Sequence, residues 1–291
     1  MDLQPVGSTL EPLTGGTTNR SWQVLVDGRP VSVLREPASD DALLGIDRTT
    51  ERRAAQQAHD LGVAPPVLAA SNSGAMRIGW VNNAVAMSAD ALLNDDFRLR
   101  LCETLRLLHS GPALGRVLDH SAVQTHLLAG VRDRGLALPA GYEDLPGRVD
   151  HLAAVLRRQP MPAVPCHNDL SAGNVLDDGE RLWLIDFEYA ADAEPAAELG
   201  NAIGMSGLPF TAVEQLVTAY RGEPDQLLTD RAMLFHTLSI TTWIPWMILQ
   251  DAAHPGNPEI ADWIELDIRA VRAAFAGPDL RAALSRVENS A

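Results

Sequence analysis

The sequence predicts an α+β protein built in two lobes, a small β-rich one over residues 1–83 and a large, mainly helical one over residues 84–291. Three observations point that way. Short β-patterned runs separated by turn residues fill the first eighty positions, helical periodicity takes over past about residue 84, and among the helices lies a polar, loop-rich stretch from Cys166 to Tyr189. With 291 residues, 46% of them apolar, the chain can bury one large core or two modest ones.

In the first lobe, residues 21–26 and 31–35 have the composition of strands, and Asp27-Gly28-Arg29-Pro30 reads as the turn between them. A helix is expected from near Asp47 through Thr50, Glu51 and Ala58, ending at Gly62 ahead of Pro65-Pro66. Residues 67–70 and 76–81 read as two further strands around Ser71-Asn72-Ser73-Gly74. In the second lobe Phe97, Leu101, Leu105 and Leu108 share one helix face, and Leu145, Val149, Leu152 and Leu156 share another. Helices are expected again from Glu214 onward, broken at residues 222–224 and 254–258 by Gly and Pro. There is no internal repeat and no low-complexity linker, so the lobes are expected to share one continuous fold.

Composition narrows the functional classes. Twenty-three basic against 38 acidic residues leave a net charge of −15, which argues against nucleic acid as a partner and favours the approach of a small cation, although an acidic surface also serves solubility alone. No apolar run approaches the roughly 20 residues that span a bilayer, and the first residues lack the basic and apolar regions of a leader. No membrane partner and a cytoplasmic location are therefore expected. Cys102 and Cys166 suit reduced thiols, and neither has metal-site spacing.

The chemistry is concentrated in residues 166–189. Asp169 is followed five residues later by Asn174, and Asp186 closes the apolar run Leu182-Trp183-Leu184-Ile185. Phosphoryl transfer needs this division of labour: one carboxylate to accept or orient the proton of an attacking hydroxyl, and oxygen ligands for magnesium at the phosphates. Asp169 is the candidate catalytic base, His167 braces the loop, and Asn174 and Asp186 are the candidate ligands. Asp and Asn are also ordinary turn residues; it is the ordered set that carries the reading. Upstream, Gly15-Gly16-Thr17-Thr18-Asn19 offers a loop to fold over nucleotide phosphates. Arg35 closes the following strand pair as a cation for the phosphates, and Glu51 on the next helix is its expected ion-pair partner.

With Gly15 to Arg20, Val33-Leu34-Arg35, the segment Leu44-Gly45-Ile46-Asp47-Arg48 leading to Glu51, Leu107-Leu108-His109-Ser110, His167 to Asn174 and Ile185 to Tyr189, the chain resembles the choline/ethanolamine kinase-like branch of the aminoglycoside phosphotransferase superfamily, over most of its length. The resemblance implies a protein-kinase-like two-lobed fold, with Asp169 as base, Asn174 and Asp186 on Mg²⁺, Glu188 close to the metal, and ATP as co-substrate. Glu198 stands where the family commonly has Asp. Residues 80–84 would connect the lobes and pair with the base, but lack the family's usual sequence there, leaving GTP open beside ATP. Trp243-Ile244-Pro245-Trp246 matches in position a segment whose rings enclose a quaternary ammonium, and Tyr189 is a further candidate for the acceptor. Two rings three apart in an apolar helix equally suit a core, and Pro245 is expected to kink that helix or start it.

The expected activity is an ATP- and magnesium-dependent transfer to the hydroxyl of a small, cationic metabolite of the choline or ethanolamine type. Thiamine kinase and aminoglycoside or sugar phosphotransferase are the alternatives within this chemistry, and a kinase-fold binder without turnover is the alternative outside it. The acceptor and the oligomeric state stay open.

Overall fold

In a computed structural model the protein is described at all positions except residues 1, 2, 15, 17, 39, 256, 257 and 291, and at residues 258 and 259 for the backbone only. The N-terminal part is a five-stranded antiparallel sheet with β1 (Thr9–Leu13), β2 (Asn19–Val26), β3 (Arg29–Pro37), β4 (Val67–Ala70) and β5 (Met76–Gly79) in the order β1-β2-β3-β5-β4. Strand β1 was not expected from the sequence; it carries Pro12, which is tolerated because β1 forms the sheet edge. Asp27 and Gly28, both at positive φ (50° and 73°), turn β2 into β3.

A short helix α1 (Asp41–Leu44) precedes α2 (Arg48–Asp60). The side chain of Asp47 caps α2 by accepting from the Thr49 and Thr50 backbone N–H groups, and Gly62 takes up the positive φ after its end. The small buried residues Ala54, Ala55 and Ala58 allow α2 a close approach to the rest of the fold, which brings Glu51 inward with them.

The remainder is mainly helical, with β6 (Val85–Ala86), α3 (Asp95–His109), α4 (His120–Asp133), α5 (Leu145–Arg158), β7 (Val164–Cys166), β8 (Val175–Asp177), β9 (Leu182–Leu184), β10 (Ala191–Ala193), α6 (Pro195–Met205), α7 (Phe210–Arg221), α8 (Gln226–Ala253), α9 (Pro258–Ala276) and α10 (Pro278–Asn289). The expected apolar faces of α3 and α5 are all buried. Helices resume at Pro195, well before Glu214. Helix α6 is buried almost all round and so has no polar face to mark its period. It presses against α8 at Gly200, where an added Cβ would lie 2.4 Å from the Ala232 carbonyl oxygen.

Helix α8 is the axis of the fold, and it corrects two expectations. At 28 residues it is long and apolar enough to cross a membrane, yet 89% of its apolar window is buried inside the protein. Pro245 lies inside it and does not mark its start, one of the two alternatives expected for it. A proline cannot donate to the carbonyl four residues back, and Gln124 of α4 donates to that Thr241 carbonyl instead, at 3.3 Å. One core cluster gathers α3, α6 and α7, a second joins α4 and α9 to the Trp243 end of α8, and a third packs α5 and α10 against it.

Candidate active site

The stretch from His167 to Asn174 leaves β7 as an irregular loop, and its conformation is imposed from beneath by α6. Glu198 accepts the backbone N–H groups of His167 (2.5 Å) and Asn168 (2.9 Å), and Asn201 accepts that of Leu170 (2.9 Å) while donating to Ser239 on α8. Asn168 takes a positive φ of 63°, and its side-chain amide donates to the carbonyls of Cys166, Tyr189 and Ala191. Glu198 thus performs the bracing that its replacement of the family's Asp had left open. Burial pushes its pKa up, but hydrogen bonding and charge from His109, with the backbone N–H of His167, hold the carboxyl below its usual range.

Beneath Glu198, His109 Nε2 lies 3.7 Å from its carboxylate and 3.8 Å from Cys166 Sγ, and His109 Nδ1 meets the Tyr220 hydroxyl at 2.9 Å. His109, Cys166 and Glu198 place potential ligand atoms within 4.8 Å of one another, a grouping that sequence spacing did not show. Because the carboxylate already serves two backbone N–H groups, the trio reads as bracing.

His167 Nδ1 accepts from the Asp169 backbone N–H, which leaves Nε2 to donate to the Ile185 carbonyl at 2.8 Å. The ring lies 4.7 Å from that of Phe187, so His167 ties the loop to the segment after β9. Asn174 donates to both the carbonyl and the carboxylate of Asp169, each at 2.9 Å. Burial pushes the Asp169 carboxyl up to about 6; His167 pulls against this and the charge of Asp186 adds to it. Asp186 follows β9 with a positive φ of 69°, a strained conformation for a non-glycine residue that re-aims its side chain.

Arg35 on β3 is the hinge of the electrostatics. Its guanidinium reaches Glu51 at 3.0 Å, Asp186 at 2.8 Å and Glu188 at 3.6 Å. Burial alone would lower its pKa, but the charges of Asp186, Glu51 and Glu188 hold it raised. The expected Arg35–Glu51 pair is therefore present, and a second arginine that the sequence reading assigned no role completes it. Arg48 forks onto Asp41, reaches Glu51 at 2.9 Å and approaches Glu188 at 3.5 Å. Its three-residue spacing from Glu51 on one helix was the available signal.

Glu188 accepts from the Thr18 hydroxyl and the Asn19 amide, both at 2.9 Å, across about 170 residues of chain. Burial, with the charge of Asp186, pushes its carboxyl up to about 8. It thus meets the end of the glycine loop as well as flanking Asp186. Of that loop, Gly15 and Thr17 lie outside the described residues. At Gly16 a Cβ would lie 2.9 Å from the Asn19 carbonyl oxygen, so this tight turn requires glycine.

At the other end of the site Tyr189 and Trp243 are both buried, with ring centroids 4.5 Å apart, and the half-buried Trp246 packs against the same cluster. The tryptophans thus take the core position that two rings three apart in an apolar helix allowed. The rings belong to the second core cluster, and that cluster abuts the catalytic stretch through Tyr189, three residues after Asp186. The Trp243 indole N–H is buried without a hydrogen-bond partner.

Comparison with known proteins agrees with this arrangement. The model of the Phosphotransferase enzyme family matches residues 9–232. The protein LicA of Haemophilus influenzae is 27% identical over 233 residues, 76% of this chain and 66% of that protein. A thiamine kinase of Escherichia coli is 27% identical over 106 residues, 36% of this chain and 35% of that protein. The chain thus spans less than two thirds of the length of these curated relatives. The crystal structure of a choline/ethanolamine kinase family protein from Mesorhizobium loti superimposes with a TM-score of 0.80 at 26% identity, covering 96% of this chain and 92% of that one, and gives the fold as kinase-like. The chain belongs to the Phosphotransferase enzyme family.

Proposed function

We propose that the protein transfers the γ-phosphoryl group of ATP to the hydroxyl of a small cationic metabolite, choline or ethanolamine first. One observation carries the catalytic part: Asp169 and Asn174, bonded to each other on one loop, stand within the field of Asp186 from the segment after β9, and Asp186 contacts the cation Arg35. Asp169 accepts the hydroxyl proton or aligns the hydroxyl for in-line attack; its raised pKa makes it a better base than an exposed Asp while leaving it ionised at neutral pH. Arg35 provides the positive charge on the nucleotide side, oriented by Glu51.

The oxygen donors fit magnesium. Asn174 commits its amide N–H₂ to Asp169, which leaves its carbonyl oxygen for a cation, and Asp186 has one oxygen beyond the one that accepts from Arg35. Asn174 and Asp186 would hold the ion, with Glu188 alongside. Bound there, magnesium would neutralise the phosphate charge. Glu188 also anchors Thr18 and Asn19, which supports a role for these two residues at the phosphates.

The cationic acceptor is supported by the aromatic cluster of Tyr189, Trp243 and Trp246 next to the catalytic stretch and by the net charge of −15. The similarity to a thiamine kinase favours a second acceptor of the same class, also a cationic primary alcohol. Initial rates with choline, ethanolamine, thiamine and an aminoglycoside, each with ATP or GTP and magnesium, test the reading. Turnover of a cationic alcohol is expected. Transfer to the aminoglycoside alone would overturn the acceptor class, and a requirement for GTP would overturn the donor.

A further inference from the structure

Among the described residues, several carboxylates drawn into this fold are met by backbone N–H groups, as Glu198 and Asp192 are, or by arginine. Asp230 pairs with Arg286, Glu194 with Arg231, Asp177 with Arg100, and Asp41 with Arg48. Asp267 on α9 is different. It is partly buried, makes no hydrogen bond or ion pair, and burial alone pushes its carboxyl up to about 7. Helical spacing puts it on the face of α9 that carries Ile260, Ile264, Ile268 and Val271, and these four belong to the cluster that holds Tyr189, Trp243 and Trp246.

Helices α8 and α9 pack against each other across a short connection between Ala253 and Pro258. Counting outward from that connection at about 1.5 Å per residue brings Asp267 level with the turn of α8 from Trp243 to Trp246. A second, independent observation lies one turn along the same stripe of α8. Gln250 is 2% exposed, and neither atom of its side-chain amide has a partner. A carboxylate without a cation and a buried amide without a hydrogen bond are each unfavourable in the free protein. Both are relieved by one kind of ligand.

We propose that Asp267 is the counter-ion, and Gln250 the hydrogen-bond partner, of the acceptor's cationic head, and that the site prefers cations bearing N–H groups to fully methylated ones. The proposal rests on the cationic-acceptor reading above. A trimethylammonium group offers the tryptophan faces a charge but gives Gln250 nothing to bond. A primary ammonium or an amino-substituted heteroaromatic cation keeps the contact with the rings and donates to both the Asp267 carboxylate and the Gln250 carbonyl oxygen.

Ethanolamine and choline, identical except for methylation, are the probes. With the full chain and MgATP, ethanolamine is expected to have the higher kcat/KM. Asp267→Asn is expected to raise the KM for ethanolamine about tenfold or more while moving the KM for ATP less than about twofold, and Asp267→Glu to recover part of the loss. Asp267→Asn without acceptor is also expected to melt higher than the unmutated protein, since it removes an uncompensated buried charge; a purely structural Asp would give the opposite shift. Gln250→Leu is expected to narrow the preference between the two alcohols. An Asp267→Asn variant whose KM for ethanolamine stays within about twofold would overturn the inference alone, as would a preference for choline that Gln250→Leu leaves unchanged. Failure of the unmutated protein to phosphorylate any cationic alcohol would instead remove the reading beneath it.

Discussion

The two ends of the site differ in how completely they satisfy themselves. At the catalytic end His167, Asn168, Asp169, Asn174 and Leu170 are bonded to fixed partners on α6 or within the loop, and Arg35 is shared among three carboxylates. At the proposed acceptor end, Trp243 and Gln250 hold polar atoms buried with no partner, and Asp267 has no cation. The contrast separates two kinds of preorganisation. In the proposed reading, the groups that would handle phosphate are braced by the protein itself, whereas those that would face the acceptor are left for it to complete.

The largest effect that would sharpen this comparison is at Asp169. Asp169→Asn keeps the shape and removes the base, and is expected to lower kcat by roughly 10²–10⁴-fold with little change in melting temperature. The unmutated enzyme adds a pH test. The raised pKa of Asp169 means that the ionised, active form is present above about 6 and lost below it, so the acid limb of kcat/KM should bend near pH 6. A limb near pH 4 would show that burial does not control this carboxyl.

Next comes the brace. Glu198→Ala leaves two buried backbone N–H groups without an acceptor and is expected to cost about 3 kcal/mol in urea denaturation along with most of the activity. Loss of stability with kcat retained would break the claim that the catalytic end depends on its bracing. The smallest effect is at Arg35. Arg35→Lys keeps the charge but cannot fork between Glu51 and Asp186, so the KM for ATP should rise about tenfold while stability moves by less than about 1 kcal/mol.

The catalytic end was the more legible in sequence, for a physical reason. Asp169, Asn174 and Asp186 lie close together along the chain on one loop and one strand end, so their spacing reports their geometry. The braces do not. Glu198, Asn201, His109 and Tyr220 act through contacts that span 30 to 111 residues, and nothing in the local pattern distinguishes them from other buried polar groups. Helix α6 was missed because complete burial erases the amphipathic period, and the length of α8 was obscured because Pro245 reads as a break until Gln124 is seen to take its place in the hydrogen-bond ladder. At the acceptor end, Trp243 and Trp246 were visible as residues, but whether they fill the core or meet the cleft depends on how α9 packs, which no local spacing encodes.

One further consequence follows from the arginine fork at the nucleotide side. All 23 basic residues of the chain are arginine, and it contains no lysine. A guanidinium stays protonated throughout the pH range in which the fold is useful, so the charge of Arg35 is constant and cannot be the source of a pH dependence. The absence of lysine also takes the site out of reach of amine chemistry. Acyl-phosphate nucleotides, aldehydes and cyanate, which silence a site built on a lysine ammonium, find no side-chain amine to modify here.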